Sequence, residues 1–476
     1  MPGRAVRALV ALATLAAGLA SESVPAPVHA DTRAVEPTTP VLSLRRVPGF
    51  VTSTIAAHHL VGRLEPVVDD PALGAARERS CISVRDPDGR TVFSRNATMP
   101  LIPASTMKLE TATAAVARLG PGFHFTTEVR AAASPAGGTV AGDLWLVGSG
   151  DPLLATADFA QIAGYQRHPR PATPLETLAD RVVGAGIRHV QGRVVGDESR
   201  YDTQRYLPTW NPRYATDPEI GPQSALTVNG GFVQWEPKAV PAPAPATNAA
   251  GLLTRLLRDR GVIVDGEASE GRAEARTPPF VATVDSPPLS EVVGVMLQES
   301  DNLAAELLVK ELGARYRRQG STGAGVEVVK ETLASLGLGA PGMTATDGSG
   351  LDRSDRLTCD LLQATLAQGG EQGVVGRGLP VAGRSGTLAR RFGGSPAAGK
   401  VRAKTGSLEG VTGLSGWTTT QDGRSVQFSL LVNDLPRDGV GTALQDRVVS
   451  ALATWPEAPR PTDVGPRPPA VPSQRP

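Results

Sequence analysis

Residues 101–115 read LIPASTMKLETATAA, with Ser105 and Lys108 three positions apart. Pro103 precedes a run of good helix formers from Met107 to Leu119, and Gly120-Pro121 closes it. This pattern predicts a helix of about four turns. Residues three apart on a helix share a face, so the hydroxyl and the amine can converge. A helix N-terminus adds backbone N–H groups and a positive dipole end beside the serine, where an oxyanion would form. The lysine stands out by rarity. Of 48 basic residues only six are lysine (Lys108, Lys238, Lys310, Lys330, Lys400 and Lys404), which leaves 42 arginines. Arginine keeps its proton in a protein, whereas a desolvated or crowded lysine can lose it and act as a base. Only Lys108 has a serine three residues before it.

Two further polar triplets follow. Ser300-Asp301-Asn302 sits between a helical pattern ending at Glu299 and another beginning at Leu303. Taken alone it reads as an ordinary N-cap; as chemistry, the hydroxyl can relay a proton and the amide can hold a carbonyl. Lys404-Thr405-Gly406-Ser407 follows a strand-like run, and its glycine lets another backbone approach closely. Lysine and threonine there can bind a carboxylate.

Composition bounds the rest. The chain has 476 residues, 40% hydrophobic, with a formal charge of +1. That length suits two or three domains, and the charge balance points away from nucleic acid. Six scattered histidines and no HExxH or Cys/His cluster argue against a protein-built zinc site. Arg4 and Arg7 precede an apolar run from Ala8 to Ala20, and Val28-His29-Ala30 ends a small-x-small cleavage pattern. The apolar run is shorter than the roughly 20 residues a membrane span needs. Residues 1–30 therefore read as a cleaved signal peptide rather than a retained anchor, with the mature protein extracytoplasmic, secreted or wall-associated. Cys81 and Cys359 fit a disulfide or two buried thiols equally well, and neither is assigned to catalysis.

Along the chain, residues 31–45 read as a mobile leader and 457–476 as a disordered Pro-rich tail. CISVRDPDGRTVFSRN (81–96) predicts a hairpin around Asp86-Pro87-Asp88-Gly89. From 122 to 285 short β-rich runs dominate (TTEVRA, GDLWLVG, VQGRVVGD, ALTVNGG), with helices expected at 175–187 and 248–262 and an irregular loop at 236–248. Helices return as LSEVVGVMLQES, NLAAELLVKELGARYRR and GVEVVKETLASLG. Strands GKVRAKTGSLEG, TGLSGWTTT and SVQFSLLVND and a last helix TALQDRVVSALATW follow. Blocks that alternate only coarsely indicate an α+β class. The division predicted is a catalytic domain from 46–121 and 286–456, interrupted by one inserted β-rich domain, 122–285.

S-x-x-K, S-D-N and K-T-G, in this order in one chain, form the serine–lysine acyl-transfer set shared by penicillin-binding proteins and class A β-lactamases. The 195 residues from Ser105 to Ser300 leave room for an insertion. The chain resembles the low-molecular-mass penicillin-binding proteins of the D-alanyl-D-alanine carboxypeptidase/endopeptidase type, the DacB-like group of peptidase family S13. The resemblance spans residues 80–455 and rests on IPASTMKL, LWLVGSGDP, GPQSALTVNGG, ESDNLAAELLVKELG, TDGSGLDRSDRLT, LPVAGRSGTLARR and RAKTGSLEGVTGLSGW. It implies a transpeptidase/β-lactamase-like domain, an antiparallel sheet packed by helices, that acts on peptidoglycan stem peptides ending in D-Ala-D-Ala and is acylated by β-lactams. It further implies that Ser105 is the nucleophile and Lys108 its base, with an amine pKa lowered by burial and by the Lys404 charge. Ser300 would be the proton relay and Asn302 would hold the peptide. Lys404 and Thr405 would bind the terminal carboxylate. The N–H groups of Ser105 and Ser407 would form an oxyanion hole, each worth about 3 kcal/mol of barrier. Such catalysis needs no cofactor or metal. Ser407 stands where threonine is common, which keeps a hydroxyl. DGSGLD (347–352) matches a family segment, and the residues themselves suggest only a turn.

A β-lactamase shares the motifs, but the long insertion and the lack of a clear glutamate-x-x-x-asparagine segment between the first two motifs argue against it. An S-x-x-K esterase does not account for S-D-N. A non-hydrolytic wall-binding or β-lactam-sensing protein does not need Ser105, Lys108 and Lys404 intact. A Ser-His-Asp hydrolase fails, because no G-x-S-x-G occurs and no histidine follows His189.

Overall fold

The computed structural model describes residues 39, 42–131, 133–161, 170–274, 280–339, 341–437 and 439–466. The expected signal peptide, most of the leader and the end of the tail lie outside these residues.

The predicted hairpin forms as β1 (Ser80–Arg85) and β2 (Thr91–Arg95). The three C-terminal strands are β3 (Val401–Leu408), β4 (Val411–Thr419) and β5 (Ser425–Val432). These five make one antiparallel sheet in the order β3-β4-β5-β1-β2. Sequence-distant halves of the chain are thus joined by β1 pairing with β5. The strand period of two sorts the faces. Val426, Phe428, Leu430 and Val432 of β5, with Ile82 and Val84 of β1, enter one core, whereas Leu431 and Cys81 enter the other. Across the sheet Lys404, Ser415, Ser429 and Ser83 are in register.

Helix α1 (Pro48–Val68) was not anticipated from the sequence. Pro48 starts it, where a missing N–H costs nothing. Ala56, Leu60 and Leu64, four apart, give it a buried stripe in the core that also holds Leu444, Val448 and Leu452 of the last long helix. Helix α2 (Lys108–Leu119) follows a 3-10 turn, Ala104–Met107, and its own Leu109, Ala112 and Ala115 sit in the opposite core.

Residues 126–285 build a second five-stranded sheet, ordered Ser269–Glu270, Val194–Asp197, Leu144–Val147, Thr126–Ala131, Phe280–Asp285. Helices α3 (Leu175–Gly184) and α4 (Pro245–Arg258) contribute Leu178, Val182, Leu253 and Leu257 to a core drawn wholly from residues 129–284. Two expectations fail here. ALTVNGG forms no strand: Asn229, Gly230 and Gly231 all take positive φ (57°, 65°, 85°), which a ladder does not accommodate, and a 3-10 turn replaces it. The stretch 236–248 is not wholly irregular, because it contains the strand Val240–Pro241 and the start of α4, whose first residue Pro245 again exploits the N1 position.

The remaining helices are α5 (Leu289–Glu299), α6 (Asn302–Arg317), α7 (Thr322–Ser335), α8 (Cys359–Gly369), α9 (Val374–Gly378), α10 (Val440–Ala453) and α11 (Pro461–Val464). Helix α11 and the 3-10 turn Leu44–Arg46 correct the expectation of irregular ends. Arg63 of α1 pairs with Glu457 at 2.9 Å and holds the start of the tail in place. Cys81 and Cys359 form a disulfide, Cα–Cα 6.0 Å, which ties β1 to α8. The open choice between bridge and thiols resolves to the bridge.

Candidate active site

Ser105 lies on the 3-10 turn that feeds α2. The turn is held from several sides. Gly406 of β3 packs so closely that a Cβ there would lie 2.7 Å from the Pro103 carbonyl oxygen. Gly350 (φ 81°) abuts the Ala104 carbonyl, where a Cβ would meet oxygen at 1.9 Å. Ala104 itself has φ 48°, an uncommon conformation for a residue with a side chain, which the surrounding packing must maintain. This explains two sequence features at once: the glycine of K-T-G and the second glycine of DGSG.

Lys108 is fully buried. Its Nζ contacts Ser105 Oγ at 3.0 Å, Asn302 Oδ1 at 2.6 Å and the Ser349 carbonyl at 2.8 Å. An ammonium has three donors, and a neutral amine has two donors and one lone pair. The Asn302 oxygen and the Ser349 carbonyl can only accept, so a neutral Lys108 spends both N–H groups on them and turns its lone pair toward the Ser105 hydroxyl. The amide orientation is set by Asn302 Nδ2, which donates to the Glu219 carbonyl at 2.7 Å. Burial lowers the Lys108 pKa to about 8, opposed by the charges of Asp347, Glu306, Asp301 and Glu219. The sequence reading attributed part of this lowering to Lys404. The repulsion is mutual, and at Lys404 it adds to burial: burial first and then the Lys108 charge hold Lys404 well below the usual lysine range.

Lys404, also fully buried, donates to Ser300 Oγ at 2.9 Å and to the Thr405 carbonyl at 2.8 Å. Ser300 closes α5 in the left-handed region (φ 57°, ψ 36°). Asp301 acts as the N-cap of α6 through Ala304 N–H at 2.9 Å, and its other oxygen accepts from the buried Arg170 at 2.5 Å. The triplet thus divides: Asp301 caps α6, while Ser300 and Asn302 contact Lys404 and Lys108. Ser105, Ser300, Asn302, Thr405 and Ser407 line one cleft of about 360 Å³, together with Glu219, Phe232, Trp235 and Thr387. Lys108 and Lys404 contact its lining residues, Ser105 and Asn302 for the first and Ser300 for the second. All eight residues singled out in the sequence converge, with Gly406 serving close approach rather than lining.

Several residues here were not singled out. Thr387, whose hydroxyl is 2.8 Å from that of Thr405, lies in the quoted segment LPVAGRSGTLARR, yet nothing in its spacing marks it. Phe232 and Trp235, edge-to-face with ring centroids 5.0 Å apart, follow directly on ALTVNGG and were given no role. The 347–352 segment acquires a purpose. Asp347 accepts from Gly350 N–H, Asp352 N–H and Trp210 Nε1 at 2.7–2.8 Å, and the turn so fixed presents the Ser349 carbonyl to Lys108. Among the described residues there is no group of three or more His, Cys, Asp and Glu placed to hold a metal.

Comparison with known proteins agrees with this architecture. The family described as D-Ala-D-Ala carboxypeptidase 3 (S13) matches residues 60–244 and 236–456. The chain is 31% identical to a D-alanyl-D-alanine carboxypeptidase of Actinomadura sp. (strain R39), covering 82% of this chain and 84% of the relative. It is 32% identical to carboxypeptidase DacB of Mycolicibacterium smegmatis, covering 91% and 92%. The crystal structure of penicillin binding protein 4 (dacB) from Haemophilus influenzae superposes with a TM-score of 0.68 at 21% identity, over 84% of this chain and 99% of that one. The family match over most of the chain and the two close relatives show that this chain belongs to the D-Ala-D-Ala carboxypeptidase 3 (S13) family.

Proposed function

We propose that the chain is an exported serine D-Ala-D-Ala carboxypeptidase acting on peptidoglycan stem peptides, with Ser105 as nucleophile. The observation that carries this is the Lys108 Nζ–Ser105 Oγ contact of 3.0 Å, made by a buried amine whose other two partners are acceptors only. In the reaction Lys108 takes the Ser105 proton as Oγ bonds to the penultimate D-alanine carbonyl carbon. The C–N bond then breaks, and the departing amine of the terminal D-alanine receives a proton through Ser300, which Lys404 contacts. Water hydrolyses the ester and restores the hydroxyl. Lys404 and Thr405 bind the terminal carboxylate, the Ser105 and Ser407 N–H groups stabilise the oxyanion, and Asn302 holds Lys108 in place while bordering the peptide. A β-lactam presents the same carbonyl and is trapped as the acyl-enzyme.

Endopeptidase action on cross-links would break a bond after the same D-alanine carbonyl at this site, with the amine of the cross-linked peptide leaving in place of D-alanine. The separate core of residues 129–284 supports treating 122–285 as an inserted domain within a catalytic domain of 46–121 and 286–456. Among the described residues no helix is long and apolar enough to cross a membrane, and the substrate places the mature enzyme outside the cytoplasm. The test is covalent labelling by a fluorescent penicillin, together with D-alanine release from a peptide ending in D-Ala-D-Ala. Both are expected from the wild type and neither from Ser105→Ala. Labelling that persists in Ser105→Ala overturns the assignment of the nucleophile, and rapid turnover of penicillin without D-alanine release favours a β-lactamase.

A further inference from the structure

Helix α6 presents Asn302, Glu306 and Lys310 at intervals of four, so the three stack along one face. All three are polar, and Glu306 and Lys310 are fully buried. Asn302 belongs to the site. Glu306, one turn further on, touches neither Ser105 nor the cleft. Its Oε1 accepts the N–H of Gly348 at 2.9 Å and the N–H of Ser349 at 2.8 Å. The same short segment is pinned from α2, where Thr111 donates to the Gly348 carbonyl at 2.7 Å. The next carbonyl, that of Ser349, is the one that receives Lys108. A single carboxylic group thus fixes the peptide that supplies one of the two acceptor-only partners of the base.

We propose that Glu306 is a positioning residue for acylation: it holds the 348–349 backbone so that the Ser349 carbonyl directs the Lys108 lone pair at Ser105, and its ionisation competes with deprotonation of Lys108. The inference rests on the reading of Lys108 as the base. The competition follows from the surroundings. Burial first, then the neighbouring Asp347, push the Glu306 carboxyl up to about 8, and the Glu306 charge in turn favours protonated Lys108. Loss of the Glu306 proton therefore opposes loss of the Lys108 proton, and only the latter yields a base. The other titratable groups that act on this pair are Asp347 on the 346–356 loop, Asp301 at the N-cap of α6, Lys310 on α6 and Glu219, and Lys404 on β3 acts with Lys108.

The experiment measures the rate constant of acylation by fluorescent penicillin from pH 6 to 10, with the full chain as wild type, Glu306→Gln and Glu306→Ala. Glutamine keeps an oxygen for both N–H groups and removes the charge. The rising limb should move to lower pH by about half a unit, which is about threefold faster at its foot, with the plateau within about twofold. Alanine leaves the two N–H groups unpaired, and its plateau should fall about tenfold or more below that of Glu306→Gln. A Glu306→Gln profile that superimposes on the wild type overturns the proposal, as does Glu306→Ala acylating as fast as Glu306→Gln. If the alanine variant does not fold, the glutamine profile decides alone. Lys108→Arg run alongside separates this from failure of the underlying reading, since only that failure leaves Lys108→Arg acylating as fast as the wild type.

Discussion

Lys108 and Lys310 are both buried and both meet the polar face of α6, but their partners differ in kind. Lys310 Nζ lies 2.5 Å from Asp202 Oδ1 and 3.0 Å from the Gln204 carbonyl. Lys108 has three uncharged oxygens as partners, and the carboxylates that favour its proton act without a hydrogen bond. Burial lowers the pKa of each, and for Lys310 the contact with Asp202 directly opposes the lowering. The difference separates a lysine that stabilises the fold from one that can give up its proton. It also qualifies the rarity argument: a lysine kept among many arginines need not be catalytic. What discriminates is the charge of its nearest acceptors.

The largest effect that sharpens the comparison is expected at Lys108. Lys108→Arg retains the positive charge and cannot supply a lone pair, so acylation by penicillin should fall about 10²–10⁴-fold with the fold intact by circular dichroism. Lys310→Met should do the reverse. Stability should drop by about 1–3 kcal/mol in urea unfolding, because Asp202 loses its partner while remaining partly solvated, and the acylation rate should stay within about twofold. A Lys310→Met enzyme that folds well but acylates slowly would break the distinction.

A smaller effect extends the comparison to acids. Glu110 is fully buried on α2, where among the described residues the Thr365 hydroxyl is its side-chain hydrogen-bond partner, at 2.8 and 3.0 Å, and burial pushes its carboxyl up to about 8. The folded chain then binds a proton that the unfolded chain releases above about 4.5. Stability contributed by this protonated acid is complete below that pH and is lost as the pH rises toward 8. Glu110→Gln should accordingly gain stability relative to wild type over that interval, read as a widening difference in melting temperature, and show no further change above it. Equal pH dependence in the two proteins would show that Glu110 is not protonated when folded.

Much of the site was legible in the sequence because each motif is short and its spacing is fixed by one element: a turn of helix for Ser105 and Lys108, a helix junction for Ser300 and Asn302, a strand end for Lys404 to Ser407. The strands of the antiparallel sheet β3-β4-β5-β1-β2 and the helices α5, α6, α7 and α10 were legible from periodicity. What could not be read depends on contacts between distant segments. Thr387 matters through Thr405, Glu306 through the 348–349 backbone, and Ala104 through a φ imposed by Gly350. Helix α1 escaped notice because polar residues, His58, His59 and Arg63 among them, separate its apolar positions along the sequence, and Pro66 lies in its last turn. The region around 225–248 misled because buried apolar residues beside glycines look like a strand until the positive φ values are known.

The central claim, that Lys108 is a neutral amine within reach of physiological pH, can be measured directly. With six lysines in the chain, selective ¹³Cε-lysine labelling gives a simple NMR spectrum, and Lys108→Arg identifies one signal by its loss. The account predicts that this signal titrates near 8. If the signal lost in Lys108→Arg titrates near 10.5, the amine stays charged, and Lys108 is not the base.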